Sequence, residues 1–334
     1  MTSITRNNTI TEEKRAAIVW APHERQALEF AKSLGAELHN VHYLKYKKPF
    51  YAPLKYILQF FKTLSILFRD KPNLVYVTNP PVFAPMTVYL YCLFSGASFI
   101  MDTHPPALYI PKWKWTLPLQ RAMARRAAAN IIDQTRYKEL FKSWGAKAFV
   151  IERPQVEIDQ SKLKRILDDE KFHVTVINTF DGDEDLDLII EAARQLPNIC
   201  FHILGDTDYA PAGMIENAPE NVRFTGYIVD SFFDQLHSSN AVMVTTQYAH
   251  SLLAGALEGM VLRKPLILSD RPTLTEYFTK GTVFVEQTVE DMIAGIQASK
   301  DHEETLKQEI DELAVEKKLR WEKEFTRMLQ SIND

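Results

Sequence analysis

Short apolar runs alternate with helix-period segments along all 334 residues, and this rhythm leaves few architectures open. Runs at 16–20, 37–42, 74–78, 98–102, 131–134 and 148–152 read as strands with helical segments between them. Strands that are apolar throughout, rather than on alternate residues, belong to parallel sheets covered on both faces. The rhythm restarts at 173–180, 199–204, 222–224, 241–245, 265–268 and 282–286. The predicted fold class is therefore α/β, with two Rossmann-like, doubly wound parallel-sheet domains. A chain of this length also exceeds what one hydrophobic core usually supports. Residues 153–171, polar and without an apolar stripe, suit a linker, so the boundary is placed near Pro154. The expected domains are 1–153 and 154–300. Over 301–334, Leu306, Ile310, Leu313, Leu319, Trp321, Phe325 and Leu329 recur mostly every three to four residues. That spacing predicts an amphipathic helix, which could run back against the first domain. Ligands bind open sheets at the carboxyl ends of their strands, so the two domains are expected to face a shared cleft.

Composition narrows the function classes. Cys92 and Cys200 are the only cysteines and both sit in apolar runs, so a disulfide framework or cysteine-based zinc site is not expected. No stretch approaches the roughly 18–20 uninterrupted apolar residues of a spanning helix, and residues 1–10 are polar, so a cytoplasmic location is expected. Charge is unevenly shared. Residues 1–152 hold 21 Lys+Arg against 10 Asp+Glu, and the remainder 18 against 33. A basic first half fits an anionic surface or ligand; charge drift toward the acidic C-terminal helix is the alternative.

The most informative segment is His250-Ser251-Leu252-Leu253-Ala254-Gly255-Ala256-Leu257-Glu258-Gly259-Met260, which follows a predicted strand and opens a predicted helix. Uncapped amides and the helix dipole at such a junction suit a diphosphate, and a carboxylate further along could accept hydrogen bonds from two ribose hydroxyls. With Lys264-Pro265-Leu266-Ile267, this segment resembles the donor motif of family-four glycosyltransferases of the GT-B fold. The resemblance implies that Glu258 binds the donor ribose, that the amides of Ser251, Leu252 and Leu253 hold the phosphates, and that His250 stands where the family has an acid. Gly205, after strand 199–204, would let a nucleotide approach the backbone. Phe224-Thr225-Gly226-Tyr227 resembles the turn beside the base, which brings Tyr227 into the donor set. The Arg and Lys usual after the first strand of this domain are replaced by an acidic loop, 178–185, expected to repel a diphosphate. That loop is similar to an element of the lipid-linked chitobiose mannosyltransferases.

Two further segments carry the same resemblance: Asn79-Pro80-Pro81 and Asp102-Thr103-His104. Both Asp102 and His104 end a predicted strand, and either side chain can take a proton from a sugar hydroxyl. They are the candidate catalytic pair; equally, Asp102 could cap a loop and His104 merely orient a substrate. His23, after the first strand, is a third candidate. Residues 43–71 interleave cations, among them Lys47, Lys48, Lys55 and Lys62, with aromatic residues, and Trp113 and Trp115 lie in a second such segment. Such segments could lie on anionic lipid, or the aromatics could be core and the lysines a solvated face.

The expected function is transfer of a sugar from a UDP- or GDP-linked donor to a polyprenyl-linked glycan in surface polysaccharide synthesis. The protein would sit peripherally on the inner face of the cell membrane, without metal, cofactor or nucleic acid. A non-catalytic GT-B partner subunit and a nucleotide-sugar epimerase are the competing readings.

Overall fold

A computed structural model describes residues 14–22, 24–43, 52–152, 158–167, 170–249 and 251–333, apart from the side chain of Arg25. The chain divides into two compact units, Met1–Pro154 with Arg320–Asp334, and Gln155–Leu319.

The first unit holds six parallel strands: β1 (Arg15–Val19), β2 (Glu37–Asn40), β3 (Leu74–Asn79), β4 (Ser98–Thr103), β5 (Ala129–Ile132) and β6 (Ala148–Val150). They stand in the order β2-β1-β3-β4-β5-β6. Between them run α1 (Arg25–Leu34), α2 (Ala52–Asp70), α3 (Phe83–Ser95), α4 (Pro106–Tyr109), α5 (Pro111–Lys114), α6 (Leu117–Arg126) and α7 (Lys138–Ser143). Helix α1 shows the local logic. Ala27, Phe30, Ala31 and Leu34 recur on one face and are buried, which for Phe30 and Leu34 stabilises by about 1.5–3 kcal/mol each. Gly35 then ends the helix at φ 61°, its N–H donating to the carbonyls of Ala31 and Lys32. Strand β5 lies two residues earlier than the 131–134 predicted. The pairing of Ala129 with Ile100 sets its register, and polar Asp133 and Gln134 fall beyond its carboxyl end.

The second unit holds β7 (Phe172–Ile177), β8 (Ile199–Leu204), β9 (Val222–Gly226), β10 (Ala241–Val244), β11 (Leu266–Ser269) and β12 (Thr282–Val285), ordered β12-β11-β10-β7-β8-β9. Its helices are α8 (Leu186–Gln195), α9 (Phe232–Ser238), α10 (Ala254–Val261), α11 (Pro272–Tyr277) and α12 (Val289–Asp301). Strand β7 stops at Ile177 rather than at the predicted 180, because Phe180 turns into the left-handed region at φ 57°. Helix α10 packs unusually close. A Cβ at Gly255 would lie 2.7 Å from Ile177 Cδ1, and one at Gly259 2.8 Å from Leu266 Cδ2. Glycines four residues apart therefore let this helix approach the sheet.

The last helix, α13 (Glu303–Asn333), serves both units. In the second, Leu306, Ile310 and Leu313 are buried, and Asp311 and Glu312 pair with Arg263 and Lys280 at 2.5 and 3.2 Å. In the first, Trp321 stacks on Phe325 with ring centroids 4.6 Å apart, and both rings lie against Phe30.

Candidate functional site

In the second sheet the chain goes from β7 to β8 and β9 on one side, then returns to the other side for β10. Ligands enter open α/β sheets at the carboxyl ends of strands where the order reverses in this way. The two loops that meet there are 178–185, after β7, and 245–253, after β10. They are laced by hydrogen bonds. Gln247 N donates to Asp183 O at 2.8 Å, Thr246 Oγ1 to Asp183 Oδ2 at 2.6 Å, and Thr245 Oγ1 to the carbonyl of Glu184. Gln247 and Gln287 both donate to Asp185, at 3.0 and 2.6 Å. The Glu184 carboxylate turns back onto the Thr179 N–H, 2.8 Å from each oxygen, and burial raises its pKa against the pull of those bonds. Of the loop's four acids, expected together to repel an anion, Asp183, Glu184 and Asp185 are thus each engaged by donors of the unit itself.

Gly205 meets this loop from β8. At φ 150°, a Cβ there would lie 2.4 Å from the Asn178 carbonyl oxygen and 2.8 Å from the Phe180 ring. The side of Gly205 on which a side chain would stand is thus occupied by the chain's own loop. Tyr227, just beyond β9, is 77% exposed.

Helix α10 begins later than its sequence implied. Leu253 is its N-cap, in extended conformation and without a side-chain cap, and Ser251 and Leu252 precede the helix. The amides left without a helical acceptor are therefore those from Leu253 onward, and of the three expected only Ser251 and Leu252 fall outside the helix. Glu258 is the fifth helical residue, one turn in rather than two, and only 8% exposed. A carboxylate so placed is desolvated, which strengthens any hydrogen bond it accepts.

The first sheet reverses order between β1 and β3. At the carboxyl ends of β1 and β4 stand Glu24, Asp102 and His104. His104 Nε2 lies 3.6 Å from Glu24 Oε1 and 3.6 Å from Asp102 Oδ2. Tyr76, buried in β3, donates its hydroxyl to Asp102 Oδ2 at 2.5 Å. Burial, and then the Asp102 charge, holds the Tyr76 phenol well above its ordinary pKa. Exposure rises outward through the cluster, from 4% for the Asp102 side chain through 16% for His104 to 27% for Glu24. Sequence reasoning singled out Asp102 and His104 but missed Glu24 and Tyr76. A tyrosine in the middle of a fully buried strand was the available signal, since its hydroxyl must find a partner. The Asn79-Pro80-Pro81 turn lies beside them: His104 N donates to Asn79 O at 2.8 Å, and Asn79 Nδ2 to Gln120 Oε1 at 3.0 Å.

Residues 157–312 match the family described as Glycosyl transferases group 1. The chain carries a group 1 glycosyltransferase domain. No match is found among curated protein sequences. Among solved structures, Anabaena HepE in complex with UDP and glucose is 12% identical, with a TM-score of 0.67 over 95% of this chain and 100% of HepE. Sucrose-phosphate synthase from Thermosynechococcus elongatus is 12% identical, with a TM-score of 0.68 over 95% and 98%. A glycosyltransferase from Rickettsia africae is 14% identical, with a TM-score of 0.67 over 96% and 98%. The two sheets are those of the GT-B fold.

In this glycosyltransferase His23, His250, Lys47 and Lys48 lie outside the described residues. Of the tryptophans expected to meet lipid, Trp113 is 6% exposed and packs edge-on against Phe83 at 6.1 Å, so it is core. Trp115 is 70% exposed. Lys62 is exposed on α2, and Lys55 is half-buried with its ammonium 5.6 Å from the Tyr56 ring. Among the described residues no helix is long and apolar enough to cross a membrane. Also among them, no three His, Cys, Asp or Glu side chains gather as metal ligands.

Proposed function

We propose that this glycosyltransferase takes a sugar from a UDP- or GDP-linked donor, held at the carboxyl edge of the second sheet, and passes it to a polyprenyl-linked glycan during surface polysaccharide synthesis. The observation that carries the donor reading is the buried Glu258 in the first turns of an uncapped helix at a strand-order reversal, inside the group 1 domain. The amides from Leu253 onward face the diphosphate, Glu258 accepts from the ribose hydroxyls, and Tyr227 lies near the base. That HepE was crystallised with UDP and glucose favours a uridine donor.

On the acceptor side, His104 is the group best placed to take the proton from an attacking hydroxyl. Asp102, more buried and already accepting from Tyr76, orients the imidazole from behind and stabilises the imidazolium formed when it takes the proton, while Glu24 flanks it on the more open side. A base acting from the acceptor domain suits inversion at the sugar carbon. The basic first half, on the inner membrane face, would bring the enzyme to a lipid-linked acceptor.

Release of nucleoside diphosphate from a panel of sugar donors, with and without a polyprenyl-linked acceptor, tests this. Glu258→Ala is expected to lower turnover by about a hundredfold or more, as losing a buried charged partner costs roughly 3 kcal/mol. His104→Ala should lower the rate while leaving donor binding intact. Donor consumed without acceptor would mean an epimerase, and no turnover with any donor would sink the proposal.

A further inference from the structure

Helix α2 has two apolar faces where one would suffice. Gln59, Thr63, Ile66 and Leu67 face the unit's interior. On the opposite side Leu54 (53% exposed), Ile57 (53%), Leu58 (37%), Phe61 (64%) and Phe68 (53%) form a second stripe at helical spacing, facing solvent. At 1.5 Å per residue the stripe is about 21 Å long. It widens at its far end. Phe68 meets Tyr91 of α3 edge-on at 5.3 Å, and beyond it Phe94, 82% exposed, and Leu93, 49% exposed, continue the apolar surface. Soluble surfaces scatter single apolar side chains; a contiguous patch marks something that covers it.

The rim says what that is. Lys62 and Arg69 flank the stripe, Lys71 follows the helix, and exposed Lys112 stands beside Lys55 of its first turn. The single acid of residues 52–71 is Asp70, whose carboxylate is taken by Arg69 at 2.7 Å. A second copy of this chain would oppose like cations across a two-fold interface. Anionic phospholipid headgroups neutralise them while the stripe enters the acyl boundary.

We infer that the outer face of α2, extended by the end of α3, docks flat on an anionic bilayer. The same helix reaches the acid–histidine cluster from its inner side: Tyr56 stacks on Trp20 at 6.1 Å, and Trp20 Nε1 donates to Thr63 Oγ1 at 2.9 Å. Trp20 directly follows β1, four residues before Glu24. The docked face thus lies on a helix whose inner side packs against the end of β1, in the same unit as His104, so a lipid-borne acceptor is met within that one unit. The use of the docking, though not the docking itself, rests on the acceptor proposed above.

Co-sedimentation of the full chain with vesicles tests it. Equimolar phosphatidylcholine and phosphatidylglycerol vesicles should bind wild type roughly tenfold or more tightly than phosphatidylcholine alone. The double variant Ile57→Ser, Phe61→Ser and the single variant Lys62→Glu should each lose roughly tenfold in binding with unchanged melting temperature, since all three positions are exposed. Wild type that ignores anionic vesicles, or variants that bind as wild type does, would overturn the inference. So would sedimentation velocity showing that the apolar variant dissolves a dimer. Donor turnover in detergent with a short-chain acceptor separates the two claims: its absence defeats the transfer reading alone, and absent vesicle binding defeats the docking alone.

Discussion

Tyr76→Phe deletes one hydroxyl from the interior of the first unit and leaves the ring that stacks on Phe30 at 5.5 Å. No cavity term arises, so the loss is that of the 2.5 Å hydrogen bond to the Asp102 carboxylate. Bonds to charged groups contribute about 1.5–3 kcal/mol, more when the partner is left buried. For a unit of this size, about 2 kcal/mol lowers the melting temperature by roughly 4–8 °C. A double-mutant cycle with Asp102→Asn isolates the pair and should give a coupling of about 1 kcal/mol or more. The pH dependence has a definite sign. Because the folded phenol titrates well above its ordinary value, its contribution is fully present below pH about 10 and is lost as pH rises beyond it. Tyr76→Phe should therefore flatten the alkaline arm of the stability profile. Thermal melts from pH 7 to 11 measure both effects. A variant that melts within about 1 °C of wild type, with coupling under about 0.5 kcal/mol, would show that the Tyr76–Asp102 contact does not hold the cluster.

Gly205→Ala forces a methyl group against the Asn178 carbonyl, and a loss of about 2–3 kcal/mol in urea denaturation is expected; a neutral effect would mean the loop moves freely. Gly259→Ala should destabilise, although the same change at an open helical position gains about 0.5–1 kcal/mol, because Leu266 Cδ2 stands 2.8 Å from the new atom; a raised melting point would refute the close packing of α10. Burial, reinforced by Lys307, lowers the Lys264 ammonium to about 8. Since the unfolded chain then binds more protons above that pH, stability should rise between pH 8 and 10 in wild type more than in Lys264→Met; parallel profiles would refute the shift.

Most of the twelve strands were legible because buried parallel strands write themselves as unbroken apolar runs, and β8 falls on its expected limits; β2 and β9, less buried and more polar, were placed by the rhythm around them. Ends were harder. The stop of β7 depends on a left-handed Phe180, and the register of β5 on a partner strand, neither of which local pattern encodes. Asp102 and His104 were visible as a short polar signature after an apolar run. Glu24 was not, since only folding brings a residue 80 positions away in sequence to within 3.6 Å of His104 Nε2. The acidic loop shows what composition leaves out. Its composition reads as a repulsive field, but Thr179 within the loop and Thr246, Gln247 and Gln287, distant in sequence, supply donors to three of its acids. Trp113 and Trp115 show the limit of interleaving as a signal: two residues apart, one is core and the other solvent-facing.

A ribosome releases the first unit's strands before any of the second unit exists, yet the aromatic ring that closes against Phe30 arrives more than 290 residues later, on α13. Until then Phe30, though stacked on Tyr76, lacks the cover of Trp321 and Phe325. Chain order and folding order are therefore opposed: the unit begun first is finished last, and the second unit is free to fold while the first waits. A nascent chain stalled near residue 319 is the species most exposed to chaperones and to aggregation.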